Sequence, residues 1–258
     1  MLIGLLISAI AILLGGGDES AFVSSIPKLK KEIKRNVVEK ARKDSLLVLL
    51  DDYEKAIKKY EKGKSKYKKN LYKTSSDWNK STDEFLEAFG AYNQTTIDLI
   101  SSLIDYRMLF QDQLTEEELV LMAEKALEGK KKDPKKQEKL EKKVGKELAA
   151  FFDDINKAVI KNVADPSRAD TIVKSVDALE STVYIYIAEA REVGRGRKKM
   201  LNDKSTTREQ LHELYAESGR LRFQGAENYA HFRETGIKYT REKEWKAINK
   251  QLKSMMKD

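Results

Sequence analysis

Glu209-Gln210-Leu211-His212 is the first place in this sequence where residue types and spacing could support chemistry. A glutamate and a histidine three residues apart share one helix face, the spacing used by helical bundles that hold a pair of iron or manganese ions. Such a centre needs a second Glu-x-x-His and two further glutamates opposite the first. The only other histidine, His231, follows nineteen residues later, about 28 Å along a helix and turned by about 100°. One metal site cannot span that, so no metal centre is expected. Carboxylate pairs such as Asp51-Asp52 and Asp153-Asp154 read as solvated helix faces. No Gly-rich phosphate loop, G-x-S-x-G elbow or H-E-x-x-H helix occurs, and these are the motifs that would place phosphate, acyl or zinc chemistry. With no cysteine, thiolate catalysis, thiolate metal sites and disulfides are excluded. No catalytic or cofactor-binding residue is expected, no cofactor, and no enzyme.

The remaining chemistry is electrostatic. Fifty basic against 42 acidic residues give a net charge of +8, most of it on amphipathic helix faces. Lys28, Lys30, Lys31, Lys34 and Arg35 form one basic group. Lys62–Lys73, with Lys64, Lys66, Lys68 and Lys69 interleaved by Tyr67 and Tyr72, forms a second. Arg195, Arg197, Lys198 and Lys199, read as a flexible loop after Gly194, form a third. Any of them suits phosphate groups, of anionic lipid or of nucleic acid. Lipid is the expected partner, because of what opens the chain.

Met1–Gly17 contains no Asp, Glu, Lys or Arg. Fourteen helical residues span about 21 Å and seventeen about 25 Å, against a hydrocarbon core of about 30 Å. A signal peptide would carry a basic start and a clean small-x-small cleavage site, and neither is present. Gly4, Ser8, Ala11 and Gly15 fall on one face, the small-residue stripe that lets membrane helices approach closely. The expectation is an uncleaved single-pass anchor in the inner membrane that also promotes homo-oligomers or complexes with other membrane proteins. The side is contested. The basic group after the anchor favours a cytoplasmic body, whereas ordinary export places it in the periplasm, the side towards which the reading leans.

Three prolines and 13 glycines are few, and apolar residues recur at helical spacing, which predicts an all-α fold of long antiparallel hairpins with coiled-coil-like seams. Pro27 reads as a first-turn proline, with the helix continuing to about Lys73 along Leu46, Leu50, Tyr53, Ile57, Tyr60, Tyr67 and Leu71. Thr74–Asp77 reads as the cap of a second helix carrying Trp78, Phe85, Phe89, Tyr92, Thr96, Leu99, Leu103 and Tyr106. Thr115 with Glu118 is a capping box. Asp133-Pro134 and Asp165-Pro166 repeat one start signal. Val183–Ile187 has strand-like chemistry inside the latter helix. Ser205–Thr207 precedes a long helix with Ser218 and Gly225 on its seam, and Thr240 opens a short last one with Trp245. The expected division is 1–17 anchor, 22–129 hairpin bundle and 130–258 second bundle.

Phe22-Val23, the Leu46–Leu50 run followed by Tyr53-Glu54-Lys55, and Arg107 leading to Leu114-Thr115-Glu116-Glu117-Glu118 resemble a group of uncharacterised bacterial envelope proteins, N-terminally anchored and helical. The helix start is also similar to those of Spy/CpxP-like periplasmic proteins. The match covers residues 22–119. It implies a helical hairpin bundle on the outer face of the inner membrane. Metal sensing is not implied, since His212 and His231 lie outside it.

Three functions follow as expectations: a non-enzymatic membrane-anchored scaffold or accessory subunit of a cell-envelope complex, a Spy-like periplasmic chaperone, and a cytoplasmic nucleic-acid binder, the last disfavoured by the anchor.

Overall fold

Helix α1 (Glu19–Asn36) brings Ile26 and Ile33 onto one face, and both are fully buried. The backbone breaks at Val37–Glu39, and α2 (Lys40–Ser76) returns antiparallel with Leu46, Leu50, Tyr53, Ile57 and Tyr60 buried against it. Helix α3 (Thr82–Asp112) folds back along α2. The same order recurs in α4 (Pro134–Asn162), α5 (Pro166–Asn202), α6 (Arg208–Tyr239) and the short α7 (Glu242–Ser254). These spans come from a computed structural model that describes residues 19–115, 117–118, 134–202 and 205–254. The described residues form helices and turns only, so the fold is all-α. The proposed anchor with Gly4, Ser8, Ala11 and Gly15 lies outside them. Among the described residues no helix is long and apolar enough to cross a membrane.

Helices α3 and α6 run along each other at the centre. Beyond α3 lie α2 and then α1; beyond α6 lie α5 and then α4, with α7 seated on α4 and touching α6. One core joins Ile26, Ile33, Leu46, Leu50, Tyr53, Ile57, Tyr60 and Leu99. The larger core joins Phe151, Phe152, Ile155, Val176, Val183, Phe232 and Trp245 to Leu71, Phe85 and Phe89 from before residue 129. Each such large side chain contributes about 2–3 kcal/mol by leaving water. These apolar faces set the fold.

The chain is a tandem duplication with an offset of 126 residues and no gap across the described elements. Helix α2 spans residues 40–76 and α5 spans 166–202; α1 ends at Asn36 and α4 at Asn162. The capping box of α3 (Ser81, Glu84) recurs on α6 (Thr207, Gln210). The turn bond from the Val37 amide to the Ile33 carbonyl recurs as Val163 to Val159. Only 14 of the 100 residues Glu19–Glu118 are identical to their counterparts in Gly145–Glu244, which is why helix periodicity alone did not expose the repeat.

The two units pack about a local twofold axis. Asn93 donates its side-chain amide to the Gly219 carbonyl at 3.4 Å, and Gly219 is the counterpart of Asn93. A position meets its own counterpart only near a twofold axis. Helices α3 and α6, counterparts in the two units, form the contact between them.

The fold departs from the sequence reading in four places. Helix α1 starts at Glu19 and runs through Pro27. The break at Val37–Glu39 has no Gly or Pro to announce it, whereas its counterpart at Val163–Asp165 is followed by Pro166. Thr74–Asp77 closes α2 instead of opening α3, whose cap is Ser81. Gly194–Lys199 is not a loop, because α5 continues helically through it to Asn202. Two internal glycines cost about 1 kcal/mol each, less than α5 gains by burying Val183, Tyr186, Ile187 and Ala190. The strand-like Val183–Ile187 is helical for the same reason.

Candidate functional site

Buried charge in this molecule sits at helix junctions, and the junctions are duplicated. Arg42, in the first turn of α2, forks onto Glu118 with Nη1–Oε2 at 2.9 Å and Nη2–Oε1 at 3.0 Å, and Nη1 also donates to the Gln113 carbonyl at 3.3 Å. Glu118 meanwhile accepts from the Thr115 amide at 2.9 Å, completing the capping box read from the sequence. At the offset of 126, Arg168 forks onto Glu244 at 3.3 and 3.5 Å and donates to the Tyr239 carbonyl at 3.1 Å. Glu244 accepts from the Arg241 amide at 2.7 Å. That amide, and then the guanidinium of Arg168, hold the Glu244 carboxyl below its ordinary range. Both arginines tie the start of a long helix to the turn after its neighbour.

Arg233 on α6 makes the deepest junction and is 1% exposed. Among the described residues it meets no carboxylate. Its Nε donates to the Ser75 carbonyl at 3.0 Å, and Nη2 donates to the carbonyls of Asp77 at 2.6 Å and Lys80 at 2.7 Å. These are groups that the C-terminus of α2 and the turn to α3 leave without helical partners. Burial lowers the affinity of the guanidinium for its proton, yet arginine stays charged at neutral pH. Beside it, the hydroxyls of Ser75 and Tyr229 share a hydrogen bond of 2.6 Å, and burial pushes the Tyr229 phenol up. Arg107 is the counterpart of Arg233, and its guanidinium too is lowered by burial, next to Tyr215. The second unit thus grips the α2–α3 turn of the first.

The basic residues singled out from the sequence divide. Lys30 is committed to structure, with Nζ 2.6 Å from Asp51 and 3.0 Å from Glu54. Those carboxylates raise the proton affinity of Lys30, and Lys58 followed by Lys30 lowers that of Glu54. Lys31, Lys34 and Arg35 are exposed on α1. Arg195, Arg197, Lys198 and Lys199 lie on α5, and their side chains, like that of Lys28, fall outside the described residues. Lys62, Lys66, Lys68 and Lys69 are exposed on α2. Glu209 is exposed in the first turn of α6, His212 is half-buried and His231 exposed. Among the described residues no three His, Cys, Asp or Glu gather as a metal site would require.

Sequence reasoning missed Arg42, Arg168 and Arg233. The signal existed: Arg42, Arg107, Glu116 and Glu118 recur in kind at Arg168, Arg233, Glu242 and Glu244. Compared with known families, characterised proteins and solved structures, the chain matches none.

Proposed function

We propose that the protein is a non-catalytic, single-pass membrane-tethered scaffold, an accessory subunit of a cell-envelope complex with its helical body on the periplasmic side. The observation that carries this reading is the contrast between the two copies at one place. Residues 1–17 of the first unit correspond to residues 127–143 of the second, LEGKKKDPKKQEKLEKK. The second copy is built with lysines there and is helical from Pro134. The unit therefore does not need an apolar segment at that place for its own packing. The apolar run of the first copy serves a surrounding outside the bundle, and a bilayer is the surrounding that accepts seventeen residues without charge. Junctions built from Arg42, Arg168 and Arg233 support a rigid carrier, since their polar atoms hold helix ends and turns together.

Flotation of the full chain with neutral phosphatidylcholine vesicles at high salt tests the tether. Wild type floats and a Leu6→Lys/Leu13→Lys variant stays at the bottom; wild type at the bottom refutes the reading. A reporter fused after Asp258 that is active only outside the cytoplasm tests the side. Assembly through the Gly4, Ser8, Ala11 and Gly15 stripe predicts that Gly4→Leu/Gly15→Leu lowers the mass in detergent micelles.

A further inference from the structure

Ten consecutive residues of α2, 61–70, contain no buried side chain, although the helix is buried on one face both before them, at Tyr60, and after them, at Leu71. Gly63 and Lys64 are half-buried and the other eight are exposed. Across about 15 Å of helix the span carries Lys62, Lys64, Lys66, Lys68 and Lys69 against the single acid Glu61. Lys64 lies over the Tyr60 ring at 5.3 Å. Lys62, Lys66, Lys68 and Lys69 make no ion pair with any described residue. Several other surface lysines are paired locally: Lys55 with Asp52, Lys58 with Glu54, Lys80 with Glu84, Lys157 with Asp153 and Lys174 with Asp170. Within ten residues the span thus gathers four exposed lysines, Lys62, Lys66, Lys68 and Lys69.

Its position is set by the register of α1. Lys30 reaches Asp51 and Glu54, so α1 runs antiparallel to α2 with residue 30 beside residues 51–54. Eleven residues back along α1 is Glu19, and eleven residues on along α2 are Lys62 and Ser65. The apolar leader therefore joins the bundle beside the start of the lysine span. In the second unit the counterparts of Lys62, Lys66, Lys68 and Lys69 on α5 are Ala188, Glu192, Gly194 and Arg195, so only one of the four positions keeps a positive charge in both copies.

We infer that the lysine span of α2 is a lipid-binding surface that lies on the headgroups of an anionic bilayer at the root of the leader. The inference rests on the tethered reading above and names the lipid class. Exposed lysines match phosphate headgroups in charge, and the leader brings them to the depth where headgroups lie. A short apolar segment and a polybasic patch together give the two signals that stable membrane attachment takes. Each lysine near an anionic surface raises affinity by about fivefold. Four of them therefore give a preference for anionic over neutral vesicles of at least about a hundredfold at low salt.

The test is flotation of the full chain with phosphatidylcholine vesicles and with vesicles containing phosphatidylglycerol, for wild type and for Lys62→Gln/Lys66→Gln/Lys68→Gln/Lys69→Gln. All four positions are exposed, so the variant keeps the wild-type unfolding midpoint. Wild type binds both vesicles and favours the anionic ones; the variant keeps the neutral binding and loses most of the preference. A preference of equal size in both proteins overturns the inference while leaving the tether standing. Absence of wild-type binding to neutral vesicles, with anionic binding intact, refutes the tether alone. A duplex oligonucleotide that binds the full chain more tightly than the anionic vesicles, and through the same four lysines, overturns the lipid assignment.

Discussion

Replacing Arg233 by methionine should cost about 3–5 kcal/mol of stability, the range for removing one partner of a buried charged junction. The arithmetic follows from three bonds: Nε to the Ser75 carbonyl at 3.0 Å and Nη2 to the carbonyls of Asp77 at 2.6 Å and Lys80 at 2.7 Å. A hydrogen bond from a charged donor is worth about 1.5–3 kcal/mol, so the gross loss is about 5–9 kcal/mol. Methionine recovers part of it, because it fills the space without burying a charge, and water can reach the carbonyls of the half-exposed turn. Arg233→Lys keeps the charge but replaces a planar fork with one compact ammonium, and should recover less than half of the loss. Urea unfolding gives the free energy, and amide exchange localises the damage to residues 74–85. An Arg233→Met protein within 1 kcal/mol of wild type, with unchanged exchange there, would refute the idea that this arginine joins the two units.

Three further outcomes follow from the geometry. A Cβ on Gly236 would collide with the ring of the fully buried Trp245, so Gly236→Ala should lower the thermal midpoint despite the gain of about 1 kcal/mol that alanine brings to a helix. Adding Trp245→Leu should relieve the clash, since the counterparts of these positions are Phe110 and Leu119. Glu118→Gln and Glu244→Gln should each cost about 1–3 kcal/mol by urea unfolding, and a cost confined to one of them would contradict the equivalence of the two junctions. The carboxyls of Glu244 and Glu54 are held below their ordinary value of 4.5, so the unfolded chain binds their protons more tightly than the folded one. The stability they contribute is present above about pH 4.5 and is lost as pH falls through their folded values. The unfolding midpoint should be level near neutrality and fall in acid, with a shallower fall in Glu244→Gln/Glu54→Gln.

Much of the fold was legible because apolar spacing and capping chemistry are local. Ser205–Thr207, Asp165-Pro166 and the Thr115 box mark helix starts where the chain places them, and the seam Leu46, Leu50, Tyr53, Ile57 and Tyr60 is the buried face of α2. Turn chemistry failed where tertiary contact decides. Val37–Glu39 breaks a helix without any breaker residue, because Ile26 and Ile33 need a partner face that a straight helix could not supply. Gly194 and Gly196 break nothing, because the helix around them is held by packing. The junction arginines were invisible for another reason. A lone arginine on a polar helix face looks like solvation, and only the register of the two units puts Arg233 on the Ser75, Asp77 and Lys80 carbonyls.

Two copies within one chain are free to differ, and where they differ tells which positions the fold does not own. The junction residues persist: Arg42 as Arg168, Glu118 as Glu244, Arg107 as Arg233. The solvent face of the paired outer helices does not. Lys34, Lys58 and Lys59 of the first unit are replaced by Ile160, Tyr184 and Ile185 in the second. Those three remain 66%, 40% and 58% exposed. A structural demand would have conserved the chemistry in both copies, as it did at the junctions. The same comparison sets an apolar leader against a lysine-rich helix start, and Lys62, Lys66, Lys68 and Lys69 of α2 against Ala188, Glu192, Gly194 and Arg195 of α5. The duplicated body carries two unlike outer surfaces, and the first of them sets the lysine span beside the end of α1 from which the leader extends.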